Sequence, residues 1–254
     1  MRVAAIYDIH GNLPALEAVL QDIRRVGVDR VVVGGDVVPG PMCRGVMECL
    51  LGLEMPVQFI HGNCEREMLA VAASVGKSSL PERYQSALRW VAQELGTEYQ
   101  QLMASWPGTL AVEIEGLGKV LFCHATPRDD NEIFTRLTPE DRLLPVFSEV
   151  NTPVVVCGHT HMQFDRAVDG VRVVNAGSVG MPYGRPGAYW LLLGPDVRPI
   201  RTDYDLERAA ALVRDTAYPQ AEEFASRQVL RPQSEEEILR LFEPTLATEQ
   251  ASPR

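Results

Sequence analysis

The sequence predicts an α/β fold with parallel strands, and three observations predict it. Short β-branched runs alternate with amphipathic stretches through residue 62. Their order is strand, helix, strand, helix, strand, which calls for crossover helices packed on a parallel sheet. The chain has 254 residues, 46% of them hydrophobic and 23% charged, enough for one large α/β core and ordinary for a globular protein.

The elements follow in order. Residues 2–7 read as a buried strand. Leu13, Leu16, Val19, Leu20 and Ile23 recur at helical spacing, and Gly27 is a stop signal. Residues 30–34 are a second strand, 44–53 a helix and 57–60 a third strand. Residues 65–106 change character: Leu69, Leu88, Val91, Leu95 and Leu102 have helical spacing and no strand signal accompanies them, so a helical insertion is expected. Trp90 and Trp106 within it are read as core residues before base-stacking platforms. Strands return at 110–114, 119–123, 154–157, 164–167, 171–175 and 188–193. One helix interrupts them, with Thr138 as N-cap and Pro139 at the first helical position. Asp169-Gly170 is a hairpin turn signal. After Arg201 the chain turns helical, with Leu206, Ala210 and Val213 on one face. Ser234 and Glu237 form a capping box, and residues 245–254 read as a frayed tail. The expected organisation is a single domain over 1–215 with an insertion at about 65–106, then a C-terminal helical extension and tail over 216–254.

Charge and cysteine usage narrow the function. A net charge of −10 repels nucleic-acid backbones and anionic membranes, so bulk affinity for either is not expected. No stretch approaches the ~20 apolar residues of a membrane span, and the apolar N-terminal run is too short for a signal peptide, so a cytoplasmic protein is expected. Five cysteines without a C-x-x-C pair argue against a disulfide framework and a thiolate zinc site. Cys123 and Cys157 lie in apolar runs and read as packing residues.

Histidine is scarce, and all five copies follow or end apolar runs read as strands. In an open α/β sheet, ligands bind beyond the carboxyl ends of the strands. Asp8 and His10 follow the first strand, Asp36 the second and Asn63 the third. His124 follows the strand at 119–123, and His159 and His161 the strand at 154–157. Each motif alone is commoner as turn or cap chemistry. Gly158-His159-Thr160-His161 says more, because imidazoles two apart on extended backbone share a face. Together the segments offer two carboxylates, one amide and four imidazoles. That is too many for one metal and suits two divalent ions sharing a carboxylate, with Mn, Fe or Zn fitting the oxygen and nitrogen donors.

These segments, Asp8-Ile9-His10-Gly11-Asn12, Gly35-Asp36, Gly62-Asn63-Cys64-Glu65, Cys123-His124, Gly158-His159-Thr160-His161 and Asn175-Ala176-Gly177-Ser178-Val179-Gly180, resemble the calcineurin-like metallophosphoesterase superfamily, in its small bacterial and archaeal branch. The resemblance covers roughly residues 1–215. It implies a four-layer α/β/β/α sandwich of two mixed sheets flanked by helices. It implies Asp8, His10 and His161 on a first metal, Asn63, His124 and His159 on a second, and Asp36 bridging them, with Asp36, Asn63 and His124 also at the reacting phosphate. Mn is the expected metal, with Fe, Zn or Ni as alternatives. Two such cations polarise a phosphate oxygen and lower the pKa of a shared water, whose hydroxide attacks phosphorus.

The expected activity is therefore a phosphodiesterase acting on small phosphate esters or nucleotides. The alternatives are a dinucleoside polyphosphate hydrolase, a serine/threonine phosphoprotein phosphatase, or a non-catalytic metal-binding scaffold. A homo-oligomer is compatible with the sequence. One departure stands out: many relatives carry His after the Gly-Asn pair, and this chain carries Cys64. A thiol is a weak general acid at neutral pH, which favours leaving groups that need little protonation; the other reading is that Cys64 only packs. Asn12, Cys64, Arg66 and Arg128 are candidate substrate contacts, Asn12 being also a helix cap and the arginines also solvated side chains. Tyr183 and Arg185 are candidates for the rim, and His61 is expected to point away from the ligands.

Overall fold

The computed structural model describes residues 1–73 and 80–243. Its elements are β1 (Val3–Ile6), α1 (Leu13–Val26), β2 (Arg30–Val33), α2 (Cys43–Leu51), β3 (Val57–Phe59), α3 (Asn63–Ala72), α4 (Glu82–Ala104), β4 (Thr109–Ile114), β5 (Gly118–Cys123), α5 (Glu140–Phe147), β6 (Val154–Cys157), β7 (Phe164–Val168), β8 (Val171–Asn175), β9 (Ala188–Leu193), β10 (Val197–Thr202), α6 (Leu206–Arg214), α7 (Ala221–Phe224), which runs on as a π-helix over Ala225–Leu230, and α8 (Glu235–Phe242).

Two five-stranded mixed sheets result, ordered β10-β9-β1-β2-β3 and β4-β5-β6-β8-β7. In the first, β1 pairs in parallel with β2 and β2 with β3, while β9 runs antiparallel to β1. In the second, β5, β6 and β8 are parallel and β4 and β7 are antiparallel edges.

Strand alternation explains why these runs are apolar throughout. Val3, Ala5 and Tyr7 face the second sheet and meet Val112, Val120, Phe122, Val156 and Val174. Ala4 and Ile6 face the other way, among Leu16, Val19 and Leu20 of α1. Both faces are covered, so period-2 polarity has no solvent side to record. Each fully buried Val or Leu contributes about 1.5–3 kcal/mol relative to exposure. α1, α2, α4 and α6 cover the first sheet. α5 covers the second through Leu143, Val146 and Phe147 against Val155 and Val173. The order is helix, sheet, sheet, helix, the four-layer α/β/β/α sandwich.

Some details differ from the sequence reading. β10 is a six-residue edge strand, half of its residues polar, in a stretch that carried no strand signal, and its pairing with β9 is what orders it. α5 begins at Glu140, with Pro139 as its cap. The Thr138 hydroxyl instead accepts from Thr135 N at 2.8 Å and donates to the buried Glu243 carboxylate. The Asp169-Gly170 turn is present, with φ values of 47° and 81° closing the β7–β8 hairpin. The segment after α6 packs Tyr218, Phe224, Ala225 and Val229 into the same core as α1 and α4. The expected tail at 245–254 lies outside the described residues. Among the described residues, no helix is long and apolar enough to cross a membrane.

Candidate metal centre

The parallel strands deliver the expected side chains to one place. Asp8, His10 and His161 form one group whose ligand atoms lie within 4.8 Å of one another, and Asp36, His124 and His159 form a second. His161 Nε2 lies 3.4 Å from His10 Nε2 and 3.3 Å from Asp8 Oδ1. His124 Nε2 lies 3.1 Å from Asn63 Oδ1 and 3.4 Å from Asp36 Oδ2. Asp36 Oδ2 is also 3.8 Å from His10 Nε2, so one carboxylate faces both groups.

The backbone bends sharply to do this. Asp8, His10, Asp36, His159 and His161 have φ of 53°, 46°, 51°, 65° and 58°. Among the described non-glycine residues only Asp169 shares that region. Such conformations cost about 1–3 kcal/mol each and persist only where surrounding contacts hold them. Here His10 N donates to Asp36 O at 3.0 Å, Ser178 Oγ to Asp8 O at 2.7 Å, and Asn175 Nδ2 to Gly158 O at 2.6 Å. The approach is close enough to require glycine at two positions. A Cβ on Gly62 would lie 2.2 Å from Asp36 Oδ1, and one on Gly158 would lie 2.4 Å from Asp8 Oδ2.

The left-handed turn at His159 and His161 corrects one expectation. These imidazoles do not share a face of an extended strand. The chain folds back, with Thr160 N donating to Gly158 O at 2.7 Å, and sends His161 to the Asp8 group and His159 to the Asp36 group.

The donor chemistry fits cations. The Met181 carbonyl can only accept, so His161 Nδ1, 2.6 Å away, carries the proton and Nε2 presents a lone pair. The Gly34 carbonyl likewise takes the Nδ1 proton of His124, at 2.9 Å. The Nε2 atoms of both rings therefore face the carboxylates across the site, and each offers a lone pair once its ring is neutral. Asp8 Oδ1 and His10 Nδ1 are buried without a hydrogen-bond partner among the described residues. Burying the Asp8 acceptor uncompensated is costly, and a divalent cation compensates it; His10 turns its other nitrogen, Nε2, towards the site. Burial pushes His10 and His159 down to about 4, the neutral state that a ligand needs. Burial opposes charge on His124 too, but the Asp36 and Asp8 carboxylates outweigh it and raise it to about 10. Burial works against the Asp36 carboxylate as well, and His124 and His10 nonetheless hold it well below the usual range.

Other site residues have distinct placements. Cys64 lies beside Asn63, donates its N–H to Asp36 Oδ1 at 3.0 Å and lines the cavity over the site. Arg66 is paired with Asp130 through bonds of 2.8 and 2.6 Å, and Arg128 Nε is 2.9 Å from Glu132. Both line a neighbouring cavity with His61 and His124. Asn12 is fully buried: it caps α1 by accepting from Ala15 N at 3.3 Å and donates to Gly180 O at 3.0 Å, so it is walled off from the cavity. His61 Nδ1 is 3.6 Å from Asp130. The Tyr183 ring stacks on His161 at 5.6 Å, while Arg185 is exposed. Trp106 stacks on Phe59 and Trp90 meets Tyr218 edge-on, both within the core.

Sequence reasoning passed over Glu65. Its fully buried carboxylate accepts from Asp36 N at 2.9 Å, Val37 N at 2.7 Å, Val38 N at 3.3 Å and Gly62 N at 2.7 Å. It ties the Asp36 loop to the Asn63 loop. Its position three residues after the Gly62 N-cap was the available signal. Tyr84, Tyr218, Gln220, Glu223, Phe224 and Gln228 also line the cavity, and no local pattern marked them.

Residues 1–194 match the family model of the calcineurin-like phosphoesterase superfamily domain, and the chain belongs to that superfamily, whose membership implies a metal-dependent phosphoester hydrolase. The chain is similar to a metallophosphoesterase from Sphaerobacter thermophilus, with 28% identity, a TM-score of 0.72, and coverage of 91% of this chain and 100% of that one. It shares its fold with a hypothetical protein from Pyrococcus horikoshii at 22% identity and a TM-score of 0.78, covering 92% of this chain and 99% of that one. An uncharacterized protein of Methanocaldococcus jannaschii is 29% identical over 230 residues, 82% of this chain and 89% of the relative.

Proposed function

We propose that this chain is a two-metal phosphodiesterase that hydrolyses small phosphate esters. The observation that carries the reading is the Asp36 carboxylate facing two groups of lone-pair donors. Asp8, His10 and His161 would hold one ion, Asn63, His124 and His159 the other, and Asp36 would serve both. Mn suits this mixture of carboxylate, amide and imidazole. When bound, the pair supplies Lewis acidity at a phosphoryl oxygen and lowers the pKa of water.

The protein's own groups set the conditions for that chemistry. The Met181 and Gly34 carbonyls fix the tautomers of His161 and His124. Glu65 fixes the Asp36 loop. Cys64 and Tyr84 present S–H and O–H groups at the cavity wall. Tyr218 and Phe224 line the cavity that opens onto the site.

The test is turnover of Mn-loaded protein on bis(p-nitrophenyl) phosphate, p-nitrophenyl phosphate, diadenosine tetraphosphate and a phosphoserine peptide. The diester should show the highest kcat/KM, by about tenfold or more given the weak acid at position 64. No turnover of any ester, or a clear preference for the anhydride or peptide, would contradict the reading.

A further inference from the structure

A cavity of about 310 Å³ opens onto His10, Asp36, Asn63, His159 and His161. Its outer wall does not come from the strand ends. It is built by Tyr84 at the start of α4 and by Tyr218, Gln220, Glu223, Phe224 and Gln228 of the C-terminal segment. The π-helical turn after Phe224 contributes to this. Ala225 and Val229 go to the core together with most of Phe224, whose small exposed part lines the cavity beside Gln228. Wide turns of this kind recur at functional sites.

The chemistry of that wall is specific. Among the described residues lining it there is no arginine or lysine, and its one charged side chain, Glu223, is anionic. Tyr84, Tyr218 and Phe224 line it with aromatic rings, Tyr218 and Phe224 showing 6% and 5% of their surface. Tyr218 and Phe224 are held edge-to-face at 6.4 Å, and Trp90 braces Tyr218 from behind at 5.5 Å. Gln220 donates one amide N–H to Arg83 O at 2.9 Å, which leaves its carbonyl oxygen and its second N–H for other partners. Aromatic side chains with amides and a carboxylate at the rim match a flat group whose edge hydrogen-bonds. A second phosphate there would meet a carboxylate and no cation.

We propose that the C-terminal segment and Tyr84 form the subsite for the organic group of the ester, and that this group is a planar, uncharged ring system with hydrogen-bonding groups on its edge. The inference rests on the phosphodiesterase reading for its substrate and deepens it. It excludes polyphosphate anhydrides by charge. It gives the residues after α6 a role in specificity.

The experiment uses the full-length Mn-loaded protein and three probes: thymidine 5′-phosphate p-nitrophenyl ester, methyl p-nitrophenyl phosphate and thymidine itself. The thymidine ester should have the higher kcat/KM by about tenfold, through KM, as expected for one stacked ring with a bonded edge. Phe224→Leu removes the ring and stays apolar, thermal unfolding checks that the core around it holds, and the variant should collapse that ratio towards one. Thymidine should bind in calorimetry and bind about tenfold more weakly to Phe224→Leu. Glu223 is exposed, so Glu223→Lys should fold, and it should raise kcat/KM for diadenosine tetraphosphate relative to the thymidine ester by about tenfold. A ratio near one in the wild type together with no thymidine binding would overturn the subsite while leaving the phosphodiesterase reading intact. Thymidine binding that responds to Phe224→Leu without turnover of either ester would support the subsite and sink the phosphodiesterase reading instead.

Discussion

The Cys64 thiol lies 3.2 Å from the hydroxyl of Tyr84, at the position where many relatives of this fold carry histidine. Burial pushes both groups up, so both stay protonated at neutral pH. They can donate hydrogen bonds but transfer protons poorly. An alkyl monoester, whose leaving alkoxide is strongly basic, should therefore be a poor substrate, and an aryl diester a better one. Cys64→Ser should leave aryl diester kcat/KM within a few-fold of wild type. Cys64→His should raise alkyl monoester hydrolysis relative to aryl diester hydrolysis by about tenfold or more. Loss of aryl diester turnover in a folded, metal-replete Cys64→Ser protein would mean that the thiol has a direct chemical role.

Glu65 should matter to metal retention without touching metal. Each of its oxygens takes two backbone N–H donors, one pair from Val37 and Val38 and the other from Asp36 and Gly62. Glu65→Gln must turn its NH₂ towards one pair of donors, and so breaks bonds without changing shape. The expected cost is about 1–3 kcal/mol of stability and about 10–100-fold in metal affinity. Thermal unfolding and metal titration of the variant check both, and wild-type values for both would remove Glu65 from the account.

The histidines should divide sharply. His124→Ala, His159→Ala and His161→Ala each delete a member of the two groups and should lower kcat/KM by orders of magnitude. His61 faces Asp130 from the neighbouring cavity, so His61→Ala should change the rate only modestly. Equal damage from His61→Ala in folded protein would show that the ligand set is misassigned.

Metal loading should release protons. In the metal-free protein His124, raised to about 10, is imidazolium at pH 8. A cation needs the neutral ring, so binding expels that proton, and affinity should rise with pH up to about 10. Mn titration by calorimetry in buffers of different ionisation enthalpy reads the number released. No buffer dependence at pH 8 would show that His124 is already neutral.

Much of this was legible because the ligands sit where buried strands stop. Asp8, Asp36, Asn63, His124 and His159 each interrupt an apolar run, and a polar side chain at that point stands out in one dimension. The split between His159 and His161 came from the family resemblance alone and not from strand periodicity, because left-handed backbone at a non-glycine residue is imposed by tertiary bonds such as those from Asn175. β10 was missed because its pairing with β9 supplies its order, and half of its own residues are polar. The wall formed by Tyr218 to Gln228 was invisible for a related reason. Those residues meet Tyr84 and Cys64 across more than a hundred positions of chain, and nothing local records that contact.

The central claim is that Asp36 serves two ions. Elemental analysis of Mn-loaded, desalted protein tests it most directly, with wild type and Asp36→Ala measured side by side. The account predicts close to two ions per chain in the wild type and loss of both in folded Asp36→Ala, because that carboxylate faces His10 at 3.8 Å and His124 at 3.4 Å. No stoichiometric metal in the wild type, or two ions retained in Asp36→Ala, would contradict it.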